Sequence, residues 1–145
     1  MPVLSAWGVR AALTWLAAAA LVGTLLLMRM PLGHPEWSAW IPMHAEMMLV
    51  GWMMQLAFGV AHWILPRRPS DGRRGASAPV AFVFVALNLG VILVILGATR
   101  WGRVLELLAV VAFAVQAVPR VRATGWGAAG KEGDLVRLKK RPELI

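Results

Sequence analysis

The chain contains no cysteine. Disulfides, iron–sulfur clusters, thiolate haem ligands and thiol nucleophiles are therefore excluded from its chemistry. Charge is scarce as well, with only 15% of residues being Asp, Glu, Lys or Arg. The phosphate-cradling loops are missing: there is no Walker sequence and no G-x-G-x-x-G, so nucleotide chemistry has no foothold. No internal repeat and no Ser-His-Asp set is present, which leaves a hydrolase unsupported.

Apolar residues are what the chain has in excess: 59% of its 145 residues are hydrophobic, and the mean hydropathy is +0.68. A soluble domain of this size cannot hide so much apolar surface in one core. The sequence predicts an all-α integral membrane protein, a four-helix bundle over residues 1–120 in contact with the lipid bilayer, followed by a basic cytoplasmic tail over residues 121–145. The net charge of +8 suggests nucleic acid at first sight. Its placement argues against that partner, because the basic residues lie between and after the apolar runs rather than along one soluble face.

Four stretches approach the ~20 residues that span a bilayer. They run from about Trp7 to Met28, Ile41 to Leu65, Val80 to Ala98 and Val104 to Val118, with the short sequence TRWGR linking the last two. Arg10 ahead of the first apolar run resembles the start of a signal peptide. No small-x-small cleavage site follows it, so a retained helix is expected. Lysines and arginines set the orientation. Arg67, Arg68, Arg73 and Arg74 crowd the loop between the second and third stretches, and the stretch from Pro119 to the C-terminus adds seven more basic residues. Both termini are therefore expected in the cytoplasm, and the second span should run from outside to inside. Trp37, Trp40 and Trp101 would lie at the outer interface, with Trp7 and Trp63 near the inner one. The cell inner (cytoplasmic) membrane is the expected location. In the tail, Leu135, Val136 and Leu138 form a short amphipathic pattern, read as part of a solvated basic segment touching anionic lipid.

The second span, HAEMMLVGWMMQLAFGVAHWILPRR, carries polar groups that lipid penalises. At about 100° per residue, His44, Met48, Gly51, Gln55, Gly59 and His62 form one stripe, while Glu46 points roughly the opposite way. Such a stripe faces a bundle interior or a cavity. Gly51 and Gly59 fit close helix contact, and Met47, Met48, Met53 and Met54 fit gap-filling. Gln55 is expected to bond across to Asn88. His44, one turn inside the outer interface, divides evenly between a snorkelling residue and a site. His62 reads as interfacial and His34 as solvated. Glu46 and Glu106, near outer helix ends, are expected to pair with Arg100 or Arg103. His44 and His62 are eighteen residues apart, roughly 27 Å along one helix, so they cannot bind one metal or one haem together.

A histidine one turn into an apolar helix, mid-membrane Gly and Gln, and a closing aromatic-x-x-Pro-Arg come in that order in MHAEMMLVGWMMQLAFGVAHWILPRR. In this the stretch resembles helix two of the catalytic subunit of haem–copper oxidases, especially the nitric-oxide-reductase and C-type branches. The resemblance covers about 25 residues well, and the first span only by length and hydropathy. It implies that His44 is an axial ligand of haem b. The family has twelve helices or more, and its other ligands lie on helices this chain lacks. A complete oxygen or nitric oxide reductase is thereby excluded, and the chain resembles the first four helices standing alone. Met48, Gly51 and Gln55 would then line the haem. Arg100 and Arg103 would meet its propionates, with Arg29, Trp37 and Trp40 also at hand. A homo-oligomer, a dimer or higher, is expected, since a second copy can offer His44 to the other side of a shared haem; a neighbour's Met47 or Met48, His34, or an open sixth position are the alternatives.

The expected function is a small membrane b-type cytochrome, for electron transfer or diatomic gas binding, with no claim to enzyme activity. Two other readings stand beside it. One is a non-enzymatic accessory or assembly subunit of a respiratory oxidase complex. The other is a small proton- or solute-conducting bundle using His44, Gln55 and His62, against which the absence of inverted repeats counts.

Overall fold

The computed structural model describes residues 2–28, 40–66 and 77–122. Four helices make up its regular structure. Helix α1 spans Val3–Leu27, α2 spans Trp40–Ile64, α3 spans Ser77–Ile95 and α4 spans Thr99–Arg122. All four are long and apolar enough to cross a membrane, and the chain is a multi-pass membrane protein. Helices are the natural outcome here, because in hydrocarbon each backbone N–H and C=O must find a partner within its own segment. The middle of α2, Met47–Met54, is wound as a π-helix, whose bonds reach one residue further than those of an α-helix.

The largest departure from the sequence expectation is at α4. TRWGR is not a link but the first turns of that helix, and α4 runs past Val118 to Arg122. Hydropathy marks the apolar run, whereas the hydrogen-bonded helix continues through Arg100, Arg103 and Arg120. The connection lies earlier, at Leu96, Gly97 and Ala98. There Gly97 takes a φ of +89°, Gly97 N–H donates to Val94 O at 3.1 Å and Ala98 N–H to Leu93 O at 2.8 Å. This glycine-centred pair of bonds closes the C-terminus of α3 and reverses the chain within three residues.

Contacts fix the topology as up-down-up-down. In the antiparallel pair α1 and α2, Gly23 meets His44 near one end and Gly59 meets Ser5 and Val9 near the other. In the antiparallel pair α3 and α4, Gly90 lies against Gly102 and Glu106. The two hairpins join in parallel. Trp15 of α1 bonds Asn88 of α3, and Phe58 of α2 stacks on Phe113 of α4 with centroids 4.0 Å apart. Val3 and Arg122 therefore lie at the same end of the bundle.

Lipid tails are as apolar as leucine, so helices in a membrane are held by close packing and interhelical bonds rather than by escape from water. Gly102 shows how close: a Cβ there would lie 2.6 Å from the Gly90 carbonyl oxygen. Val83, Leu87 and Val91 of α3 are buried with Val50 and Ala109, and Ala19, Val22 and Met47 form a second cluster between α1 and α2. Helices α1 and α4 turn large apolar residues outward, among them Leu21, Leu107 and Val115, a surface suited to lipid. Arg29, His34, Trp37, the arginines of residues 67–74 and residues 123–145 of the tail lie outside the described residues.

Candidate functional site

Most of the polar stripe on α2 is the seam on which α1 lies. At one end the half-buried His44 ring sits over Gly23, where a Cβ would come within 2.8 Å of Cε1, and its Nδ1 is 2.9 Å from the Ala19 carbonyl oxygen. A carbonyl only accepts, so Nδ1 carries a proton, and in the neutral ring Nε2 then keeps its lone pair. One turn further along, Met48 packs on the Ala19–Val22–Met47 cluster. Gly51 is covered by the Trp15 ring, with 2.8 Å from a would-be Cβ to Cγ. Gln55 is wholly buried and donates from Nε2 to the Gly8 carbonyl at 3.4 Å. Within one copy, Met48, Gly51 and Gln55 thus contact α1 side chains and backbone.

The expected bond from Gln55 to Asn88 is replaced by two others. Asn88 Oδ1 accepts from the Trp15 indole N–H at 2.8 Å, and Asn88 Nδ2 donates to the Phe84 carbonyl at 2.7 Å. Trp15 is long enough to reach across the α1–α3 contact, and Gln55 turns toward the nearer helix. His62 departs from the seam. It is buried beside α4, where Arg120 Nη1 lies 3.4 Å from its Nδ1. The Arg120 guanidinium also donates to the carbonyls of His62, Leu65 and Pro66. Those are end-of-helix carbonyls of α2, which lack partners within the helix, and the cation sits favourably at that negative end of the dipole. Counting Arg120 only as tail charge hides this role; its position directly after Pro119, where the apolar run ends, was the signal.

On the side of α2 away from α1, Glu46 is buried and meets Arg103 Nη2 at 2.6 Å. Arg103 Nη1 meets Glu106 at 2.8 Å. Each of the two carboxyl groups keeps one buried oxygen without a donor among the described residues. One guanidinium therefore clamps two acidic side chains and ties α2 to α4. Arg100, by contrast, is exposed on the first turn of α4.

Compared with family models, curated proteins and solved structures, the chain matches none.

Proposed function

We propose that the chain is a small b-type cytochrome of the cell inner (cytoplasmic) membrane, holding haem b through Nε2 of His44 for electron transfer or diatomic gas binding. One observation carries the reading: the Nδ1 contact to the Ala19 carbonyl. An iron-ligating imidazole ordinarily donates its other ring N–H to a carbonyl or carboxylate, which fixes the ring and raises its basicity. His44 is in that state, and among the described residues nothing partners its Nε2. The residues present therefore fit the donor chemistry of haem, which when bound supplies the redox and gas-binding chemistry.

We propose that both termini face the cytoplasm, because the basic loop and tail follow from the end that holds Val3 and Arg122. His44 then lies near the outer face. There Arg100 offers an exposed cation to a propionate, while Arg103 is engaged by two carboxylates. Since α1 covers Met48, Gly51 and Gln55, a second copy of the chain is proposed to complete the site, and its His44 would help to hold the group. The test is the absorption spectrum of detergent-purified protein, reduced, with and without carbon monoxide. A Soret band that disappears in His44→Ala is expected. A spectrum indifferent to carbon monoxide assigns electron transfer, and one that shifts assigns gas binding.

A second reading, an accessory subunit of a respiratory complex kept for its helix contacts, draws on the filled seam itself. His44, Gly51, Gln55 and Gly59 all meet α1, an arrangement that also serves packing alone. Colourless protein that co-purifies with an oxidase would favour it over the cytochrome.

A further inference from the structure

Away from His44, a groove of about 270 Å³ opens between α1 and α3 toward the region where lipid lies. Trp7, Gly8 and Ala11 form one wall, Phe84 and Leu89 the other, and Gln55 of α2 stands behind them. The lining is otherwise apolar except for Asn88, whose amide is already engaged by the Trp15 indole and the Phe84 carbonyl. Gln55 is 0% exposed, its Oε1 meets no donor among the described residues, and its Nε2 makes only the long contact to Gly8 O. A buried acceptor left unpaired costs about 1–3 kcal/mol. An acyl chain in the groove would leave that cost in place, whereas a ligand that donates a hydrogen bond would remove it.

We propose that this groove binds the aromatic-alcohol head of a lipid-soluble molecule, its ring between Trp7 and Phe84 and its O–H donated to Gln55 Oε1. Three features specify that class. The orphan atom is an acceptor, so the ligand must donate. Rings line both walls and favour an offset-stacked or edge-on aromatic partner. The volume lies just under the ~300–1,000 Å³ of sites that enclose a whole drug-sized ligand. It holds one ring-sized head, with an apolar tail leaving through the open side. The site uses no iron and is read on the protein with or without a Soret band, so its failure and that of the cytochrome reading are separate events.

The test is photolabelling of the full chain in lipid nanodiscs with a short-tailed alkylphenol bearing a diazirine, the labelled residues being located by mass spectrometry. Label is expected on α1 around Trp7 and Ala11 and on α3 around Val85 and Leu89. Unlabelled alkylphenol should compete about tenfold better than its methyl ether, the ratio expected of one buried hydrogen bond. Gln55→Leu should abolish that preference. Leu89→Trp, which plugs the groove from its exposed rim and leaves Gln55 intact, should remove the label. Label spread evenly over lipid-facing helix surfaces, or an ether that competes as well as the phenol, would overturn the proposal.

Discussion

Gly23→Ala tests the tie between His44 and α1 most directly. The added methyl would lie 2.8 Å from His44 Cε1, closer than carbon atoms tolerate, and 3.2 Å from Nδ1. The ring has to move, and with it the 2.9 Å bond to the Ala19 carbonyl. Overpacking of this kind costs about 1–3 kcal/mol, and the lost hydrogen bond about 0.5–1.5 kcal/mol. Against these stands the helix preference for Ala over Gly, about 1 kcal/mol. The expected result is a destabilisation of about 2 kcal/mol in reversible denaturation from mixed micelles, with loss of the Nδ1 proton signal of His44 in the NMR spectrum. Gly59→Ala on the same helix pair is the control. Its methyl meets Val9 Cγ2 at 3.3 Å and nothing closer, so it should stay within about 0.5 kcal/mol of the unmodified protein. Equal stability of Gly23→Ala and Gly59→Ala, with the Nδ1 signal intact, would refute the packing argument.

Arg103→Leu strips the cation from two buried carboxylates. Breaking a buried pair costs about 3–5 kcal/mol, and because Arg103 is itself 53% exposed the lower figure is expected. Adding Glu46→Gln and Glu106→Gln to that variant should recover most of the loss, and a single variant as stable as the parent would contradict the clamp. Gly97→Ala places a side chain at a φ of +89° with nothing within 4 Å. The cost is then purely backbone, about 1–2 kcal/mol, and Gly97→Asn should lose less in the same denaturation experiment because Asn tolerates that conformation.

Part of the candidate site was legible before any coordinates. The helical wheel of α2 separates His44, Gly51, Gln55 and Gly59 from Glu46, and in the fold the first set meets α1 while Glu46 meets α4. The π-helical stretch Met47–Met54 lies between His44 and Gln55 without separating their faces, and nothing in its apolar run announces it. Asn88 shows the limit of such reasoning. Its depth in the membrane matches Gln55 well enough, but depth says nothing about which neighbour is closer, and Trp15 takes the bond.

Composition and periodicity alone determined that this chain forms four apolar helices, because hydrocarbon forces each segment to satisfy its own backbone and about twenty apolar residues suffice to cross it. They also determined which residues are too polar to face lipid. Tertiary structure alone decided their partners: Ala19 for His44, Gly8 for Gln55, Arg103 rather than Arg100 for Glu46 and Glu106, and Arg120 for the end of α2. The reason is physical. A polar group in a membrane must find some partner, but which one it reaches depends on how closely glycines such as Gly23 and Gly102 let neighbouring helices approach.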